Sequence, residues 1–288
     1  MDSGAGGLVV LKEALLRCRF GGAVYFGDNG NAPYGNRGKR DLMSLAVSGV
    51  ERLRAEGARA VVFACGTLST CVLQDIRALY PELQFYGTFP PLETYGLRGE
   101  EYLVVATRGT AAAMKRSVKG ARVYAAEGLA EDIERHLFDL GAVRLEKYLK
   151  GLPRNVKNVV LGCTHFSLIE GAFRRHFPNA KIISGAENTA NRITAETDGL
   201  YNNVFCGKNE NSSVILTSQS ENLQCADHFS PKKTPSLTTF ASKSSVSVNI
   251  KPKLNCFCEF YGKKVKFIGN FCRLNLQAFA NICSNLSF

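Results

Sequence analysis

The sequence predicts an α/β protein of two pseudo-symmetric lobes, each with mostly parallel strands flanked by helices, and a site between the lobes. Three observations carry this prediction. Short β-branched runs alternate with amphipathic, helix-length segments as far as about residue 195, the pattern of βα repetition. A Pro90-Pro91 break divides the alternation into two series. Each series holds a cysteine in the same setting, Ala-Val-Val-Phe-Ala-Cys65-Gly-Thr67 and Val-Val-Leu-Gly-Cys163-Thr-His165, 98 positions apart.

Taken in order, the Gly-rich turn Gly4 to Gly7 leads into an amphipathic helix over Leu8 to Cys18, then a strand over Ala23 to Phe26. Lys39 to Glu56 reads as a longer helix, with Leu42, Leu45, Ala46, Val50 and Leu53 on one face. Strand Ala60 to Ala64 follows, then helix Thr67 to Tyr80 and strand Leu83 to Thr88. Past the proline pair come strand Tyr102 to Ala106, helix Thr110 to Val118, strand Arg122 to Ala125, and helices Gly128 to Asp139 and Ala142 to Leu149. Strand Val156 to Leu161, helix Phe166 to Phe177, strand Lys181 to Ile183 and helix Glu187 to Glu196 complete the series. Uninterrupted apolar strands such as Val159 to Leu161 are typical of parallel sheets buried on both faces.

Each cysteine therefore lies where a strand turns into a helix. There the free N–H groups and the helix dipole favour thiolate over thiol, and the carboxyl ends of parallel strands are where open α/β sheets bind ligands. A lone cysteine in such a place is more often a small buried hydrophobe. Two in equivalent settings point to two thiols facing one substrate in the cleft between lobes.

Composition excludes several classes. No apolar run approaches the roughly 18 residues of a membrane span, and the Asp-Ser-Gly start is unlike a signal peptide, so a soluble, cytoplasmic protein is expected. Ten cysteines scattered through a large α/β pattern do not form a disulfide framework. Cys256 and Cys258 have no histidine near them and make a poor zinc half-site. The net charge of +11 suggests nucleic acid, but Ser230 to Phe288 holds nine Lys and Arg against Glu259 alone, a net +8 that leaves +3 for the preceding 229 residues. The Gly4 to Gly7 turn lacks the residues of a phosphate loop or a dinucleotide fingerprint.

Five ordered segments, Asp2-Ser-Gly-Ala-Gly-Gly-Leu8, Tyr25-Phe-Gly-Asp28, Ala32-Pro-Tyr-Gly35, Ala64-Cys-Gly-Thr67 and Leu161-Gly-Cys-Thr-His-Phe166, resemble the successive motifs of glutamate racemase, in the aspartate/glutamate racemase family. Ser184-Gly-Ala-Glu-Asn-Thr-Ala190 resembles a later segment of that family, and Val214-Ile-Leu-Thr-Ser218 with the stretch to Phe229 its last strand and helix. The resemblance implies interconversion of L- and D-glutamate without cofactor or metal, supplying D-glutamate for peptidoglycan. Inverting Cα needs acid/base groups on opposite faces of the carbon. By resemblance these are Cys65 and Cys163, with Cys65 the base toward D-glutamate, Asp2 assisting Cys65 and His165 assisting Cys163. Glu134, in Leu129-Ala-Glu-Asp-Ile-Glu134, is matched to an acidic residue assisting on the second side, in a segment that departs from the family pattern. Ser3, Tyr34, Gly35, Gly66, Thr67 and Thr164, together with Asp2 and His165, are the implied substrate-binding positions. Glutamate is the implied partner, nucleic acid and membrane are not, and a homodimer is left open.

The implied domains are residues 1–90 plus 188–229 for the first lobe, 91–187 for the second, and 230–288 as a basic tail outside the family, poorly ordered as a whole. Within the tail, Val246 to Ile250 and Val265 to Ile268 read as strands. Three departures stand out. Gly66 occupies the position where the family usually has Asn, which implies weaker binding or a different loop. The strand expected ahead of the Asp-Ser-Gly turn is missing, which implies exposed strand edges and a loosened Asp2. The tail fits nothing in the family, so a truncated or frame-shifted gene product is expected. The alternatives are an aspartate or other amino-acid racemase of the same family, or an inactive racemase-derived binding protein.

Overall fold

The computed structural model describes residues 1–18, 20, 22–97, 102–118, 122–197, 248–250, 255–260 and 263–268. In the first lobe, helix α1 (Leu8–Arg17), strand β1 (Gly22–Val24), helix α2 (Lys39–Ala55) and strand β2 (Ala60–Phe63) are followed by α3 (Gly66–Cys71), α4 (Leu73–Leu79) and β3 (Gln84–Gly87). The second lobe runs β4 (Tyr102–Ala106), α5 (Arg108–Ser117), β5 (Val123–Ala125), α6 (Leu129–Arg135), β6 (Asn158–Leu161), α7 (Thr164–Leu168), α8 (Glu170–His176) and β7 (Lys181–Ser184), after which α9 (Gly185–Thr197) returns to the first lobe.

All neighbours in the second-lobe sheet, ordered β5-β4-β6-β7, are parallel. Its central strands are apolar throughout because both faces are covered. Leu103, Val105, Val159 and Leu161 point into a core with Phe166, Phe173 and Phe177, while Tyr102, Val104, Ala106 and Val160 meet Ala111 and Met114 on the other side. Complete burial of a phenylalanine such as Phe166 is worth about 1.5–3 kcal/mol. In the first lobe β2 and β3 pair in parallel, and Leu42, Ala46, Val50 and Leu53 of α2 cover Val61 and Phe63. Helix α9 packs on α1 and β3 through Ala190 and Ile193 against Ala14, Cys18 and Tyr86.

Met1 and Asp2 make a short bridge at the place where a first strand is expected from the sequence. Met1 and Asp2 lie between the ends of two strands: the Met1 amino group donates to Val62 O (2.6 Å) and Ala64 N–H to Met1 O (2.9 Å). On the other side Asp2 N–H donates to Phe26 O (2.8 Å) and Asp28 N–H to Asp2 O (3.0 Å), in parallel register with Gly27. Asp2 is fully buried and bonded to Phe26 and Asp28, with Met1 beside it bonded to the other strand, in contrast to the loosening that the sequence implies.

Four helices differ clearly from their predicted extent, and the one predicted over Gly128 to Asp139 already ends at Arg135, where His136 (φ −112°, ψ 27°) leaves the helical region. Thr67 to Tyr80 is broken at Val72 (φ −136°, ψ −6°) into α3 and α4, and Phe166 to Phe177 at Ile169 (φ −113°, ψ 29°) into α7 and α8. Residues 142–149 form 3₁₀ turns, Leu140–Ala142 and Leu145–Lys147, instead of a helix. Val143 is extended there, which lets Val143, Leu145 and Leu149 all reach the core. In the tail, β8 (Val248–Ile250), β9 (Asn255–Phe260) and β10 (Lys263–Ile268) form antiparallel pairs, with β10 parallel to β1. Strands β8 and β10 overlap the two predicted segments and β9 has no predicted counterpart; Val214 to Phe229 lies outside the described residues. Among the described residues, no helix is long and apolar enough to cross a membrane.

Candidate active site

Parallel strands deliver both cysteines to helix starts. Cys65 follows β2 as the capping residue of α3, and Cys163 follows β6 as the capping residue of α7; both are buried. Burial disfavours the charged form of Cys65, and the negative charge of Asp2 adds to this. The N–H groups of Leu68 and Thr67 oppose the shift, and the net pKa is pushed up to about 12. Charge on Cys163 also raises it, so the two sulfurs sense each other across the lobes.

Cys163 has a different environment. Its sulfur lies 3.8 Å from Nδ1 of His165, whose Nε2 is 2.5 Å from Glu134 Oε1. Burial alone disfavours an imidazolium, yet the hydrogen bonds and charges of Cys163 and Glu134 overrule it, and the His165 pKa is raised well above its ordinary value. Burial likewise disfavours the Glu134 carboxylate, but His165, Ala5 N–H and Asn29 hold its pKa below the usual range. The result is a line of sulfur, imidazolium and carboxylate.

That line is closed by the other lobe. Ala5 N–H donates to Glu134 Oε1 at 2.7 Å and Asn29 Nδ2 to Oε2 at 3.1 Å. Thr164 donates its hydroxyl to Asp2 Oδ1 at 3.3 Å, and Gly4 N–H caps Oδ2 at 3.0 Å. Burial raises the Asp2 pKa, with the charge of His165 acting against it. Asp2 thus touches the Cys163 turn directly while its field acts on Cys65.

The remaining predicted residues gather at the same seam. Ser3 is buried in the turn after Asp2. Tyr34 is fully buried and donates its hydroxyl to Asp28 Oδ2 at 2.6 Å, so only its backbone is left for a ligand. Gly35 lies against Thr107 of the second lobe, where a Cβ would come within 2.6 Å of the threonine Cβ. Gly66 packs on the backbone of the opposite cysteine turn: a Cβ there would lie 2.9 Å from Gly162 O. A narrow cleft adjoins Gly66, Gly162 and Cys163 and extends to Thr88, Pro90 and Ser184.

Sequence reasoning missed three parts of this arrangement. Thr67 Oγ1 lies 3.0 Å from Thr107 Oγ1 and 3.4 Å from Thr110 Oγ1, a buried hydroxyl cluster joining the lobes. The signal was present in Ala106-Thr107-Arg-Gly-Thr110, which follows β4 as the cysteine turns follow β2 and β6. Asp28 anchors Tyr34 and, at 3.0 Å, Asn31. Asn29 follows it, and its contact with Glu134, 105 positions away, leaves no trace in local pattern.

Two α/β lobes, with strand-end polar groups meeting at the seam between them, define a cleft protein of the doubly wound kind. No family model matches the chain. It is 31% identical over 204 residues to a glutamate racemase of Leptospira borgpetersenii, covering 67% of this chain and 79% of that one. It is 30% identical over 239 residues to that of Leptospira interrogans, covering 77% and 91%. The crystal structure of a glutamate racemase isoform from Bacillus anthracis superposes with a TM-score of 0.63 at 25% identity, over 76% of this chain and 86% of that one. The chain belongs to the glutamate racemase family.

Proposed function

We propose that the chain interconverts L- and D-glutamate by a two-base mechanism without cofactor. Cys65 and Cys163 serve opposite faces of the α-carbon: one sulfur takes the proton as the other delivers one, and turnover exchanges their protonation states. The observation that carries this reading is the pair of strand-end thiols, one raised in pKa by burial and Asp2 and the other facing a His165–Glu134 pair. Such an arrangement gives the two sulfurs unlike roles before substrate arrives. His165 and Glu134 assist Cys163, and Asp2 assists Cys65. Ser3, Gly35, Gly66, Thr67 and Thr164, with backbone N–H groups at the helix starts and the backbone of Tyr34, hold the two carboxylates and the ammonium. The first lobe comprises 1–90 and 188–229, the second 91–187, and 230–288 is an appendage. A cytoplasmic role in supplying D-glutamate for peptidoglycan follows from this chemistry.

Purified protein incubated with L-glutamate in deuterium oxide tests the reading, because inversion must exchange the Cα hydrogen. Exchange with formation of D-glutamate is expected, with L-aspartate as the competing substrate. Cys65→Ser and Cys163→Ser should each abolish racemisation. Full activity in either variant rejects the two-base assignment.

A further inference from the structure

We propose that Asn29 is a positioning residue for the Cys163 half of the reaction, its amide clamping Glu134 across the cleft so that lobe closure orders the Glu134–His165–Cys163 line. This rests on the two-thiol reading above and adds to it a residue that touches neither sulfur.

Asn29 is held by the same ladder that fixes Asp2. Asp28 N–H donates to Asp2 O at 3.0 Å, and the Asp28 carboxylate ties down Asn31 and Tyr34, so the 3₁₀ turn Asn29–Asn31 starts from a fixed point. From there Nδ2 reaches Glu134 Oε2 at 3.1 Å. The amide oxygen is buried and, among the described residues, has no hydrogen-bond partner. Among the described residues, Glu134 is therefore the one polar contact that explains an amide at this position. Gly27 lies below the amide, where a Cβ would come within 3.1 Å of Asn29 Oδ1, so the glycine leaves room for the side chain to take this position.

The partition between lobes gives the contact its function. Glu134 and His165 belong to the second lobe, yet the carboxylate takes two of its three donors, Ala5 N–H and Asn29, from the first. With the lobes apart, Glu134 loses both donors together and His165 has nothing fixed to lean on. With the lobes closed, Oε1 is shared by Ala5 and His165 while Asn29 holds Oε2, which sets the plane of the carboxylate. Ala5 donates from its backbone and persists in any side-chain variant, so removing Asn29 weakens the line without abolishing it.

The test compares wild type with Asn29→Ala and Asn29→Asp, using melting temperature to verify folding. Loss of one hydrogen bond to a charged group predicts a fall in kcat of about tenfold for Asn29→Ala. The primary isotope effect on 2-deuterated substrate should rise for the enantiomer deprotonated by Cys163, L-glutamate by family resemblance, and fall for the other, whose reprotonation by Cys163 becomes more limiting. Asn29→Asp keeps the shape but turns a carboxylate toward Glu134, so it should be slower than Asn29→Ala. An activity-independent arm records the His165 ring resonances in ¹⁵N-histidine-labelled protein, which should move in both variants. Equal isotope effects in the two directions, an Asp variant no worse than Ala, or unmoved His165 signals would overturn the proposal. Failure of the two-thiol reading shows separately, as wild type without Cα exchange or as activity surviving in Cys163→Ser.

Discussion

Replacing Gly66 should impair this protein even when the incoming residue is the asparagine that the family usually carries. The reason is the contact between the two cysteine turns. An ideal Cβ at position 66 lies 2.9 Å from Gly162 O, against the 3.4 Å at which ordinary contact begins, so about 0.5 Å of movement is required. The obstacle is backbone, which cannot swing aside as a side chain can. Taken up by separation of the lobes, 0.5 Å lengthens Thr164–Asp2 from 3.3 Å and Asn29–Glu134 from 3.1 Å beyond hydrogen-bond range. Each involves a carboxylate, and losing one such bond costs about 1.5–3 kcal/mol, or roughly 10- to 150-fold in kcat/KM. Overpacking adds about 1–3 kcal/mol to the loss of stability. Racemisation followed by circular dichroism, beside a thermal melt, should rank Gly66 above Gly66→Ala and Gly66→Ala above Gly66→Asn. If Gly66→Asn raises kcat/KM, or Gly66→Ala equals wild type in activity and melting temperature, the turns are not in contact in the working enzyme and the reasoning fails.

Three further outcomes are expected. With the Cys65 pKa near 12, its thiolate fraction at pH 8 is about one in ten thousand; iodoacetamide followed by peptide mass spectrometry should modify Cys163 faster, with Cys65 labelling rising about tenfold per pH unit, and equal rates at pH 8 contradict this. Glu134→Gln removes the charge that keeps His165 protonated, so the His165 pKa falls and the alkaline limb of the pH–rate profile should move to lower pH, with kcat down about 100-fold; an unmoved limb refutes the role. Thr107→Val takes one hydroxyl from the cluster with Thr67 and Thr110 and should raise KM about tenfold at a nearly constant kcat, whereas a fall confined to kcat places that cluster away from the ligand.

The strands and both cysteine turns were legible because burial on two faces demands unbroken β-branched runs, and Val159 to Leu161 and Val61 to Phe63 have few other uses. The breaks inside the following helices were not. Apolar spacing runs on through Leu68, Val72 and Ile76, but the Ser69 hydroxyl bonds the carbonyls of Phe63 and Cys65 and receives Thr88 N–H, which ties α3 to the ends of β2 and β3 and leaves α4 to follow another direction. The 3₁₀ turns near Val143 were hidden for a similar reason: apolar residues two and four apart suit a winding segment over a core as well as a helix. Nothing in local pattern marked that Met1 and Asp2 bond to the strand ends on either side.

The two thiols that look equivalent in sequence differ in their supports. Cys65 has backbone N–H groups for its charge and a carboxylate beside it that opposes charge, and burial does the rest. Cys163 faces an imidazolium whose own counter-charge is held by Ala5 and Asn29 from across the cleft. An open cleft therefore affects them unequally: Cys65 keeps its N–H groups, because they belong to its own helix, while the Cys163 line loses its anchors. On the proposed two-thiol reading, closure is thus a condition for one half of the reaction more than for the other. Because the two enantiomers are equally stable, kcat/KM must be the same in both directions whatever the asymmetry, and the inequality can surface only in kcat and KM taken separately and in the isotope effects of each direction.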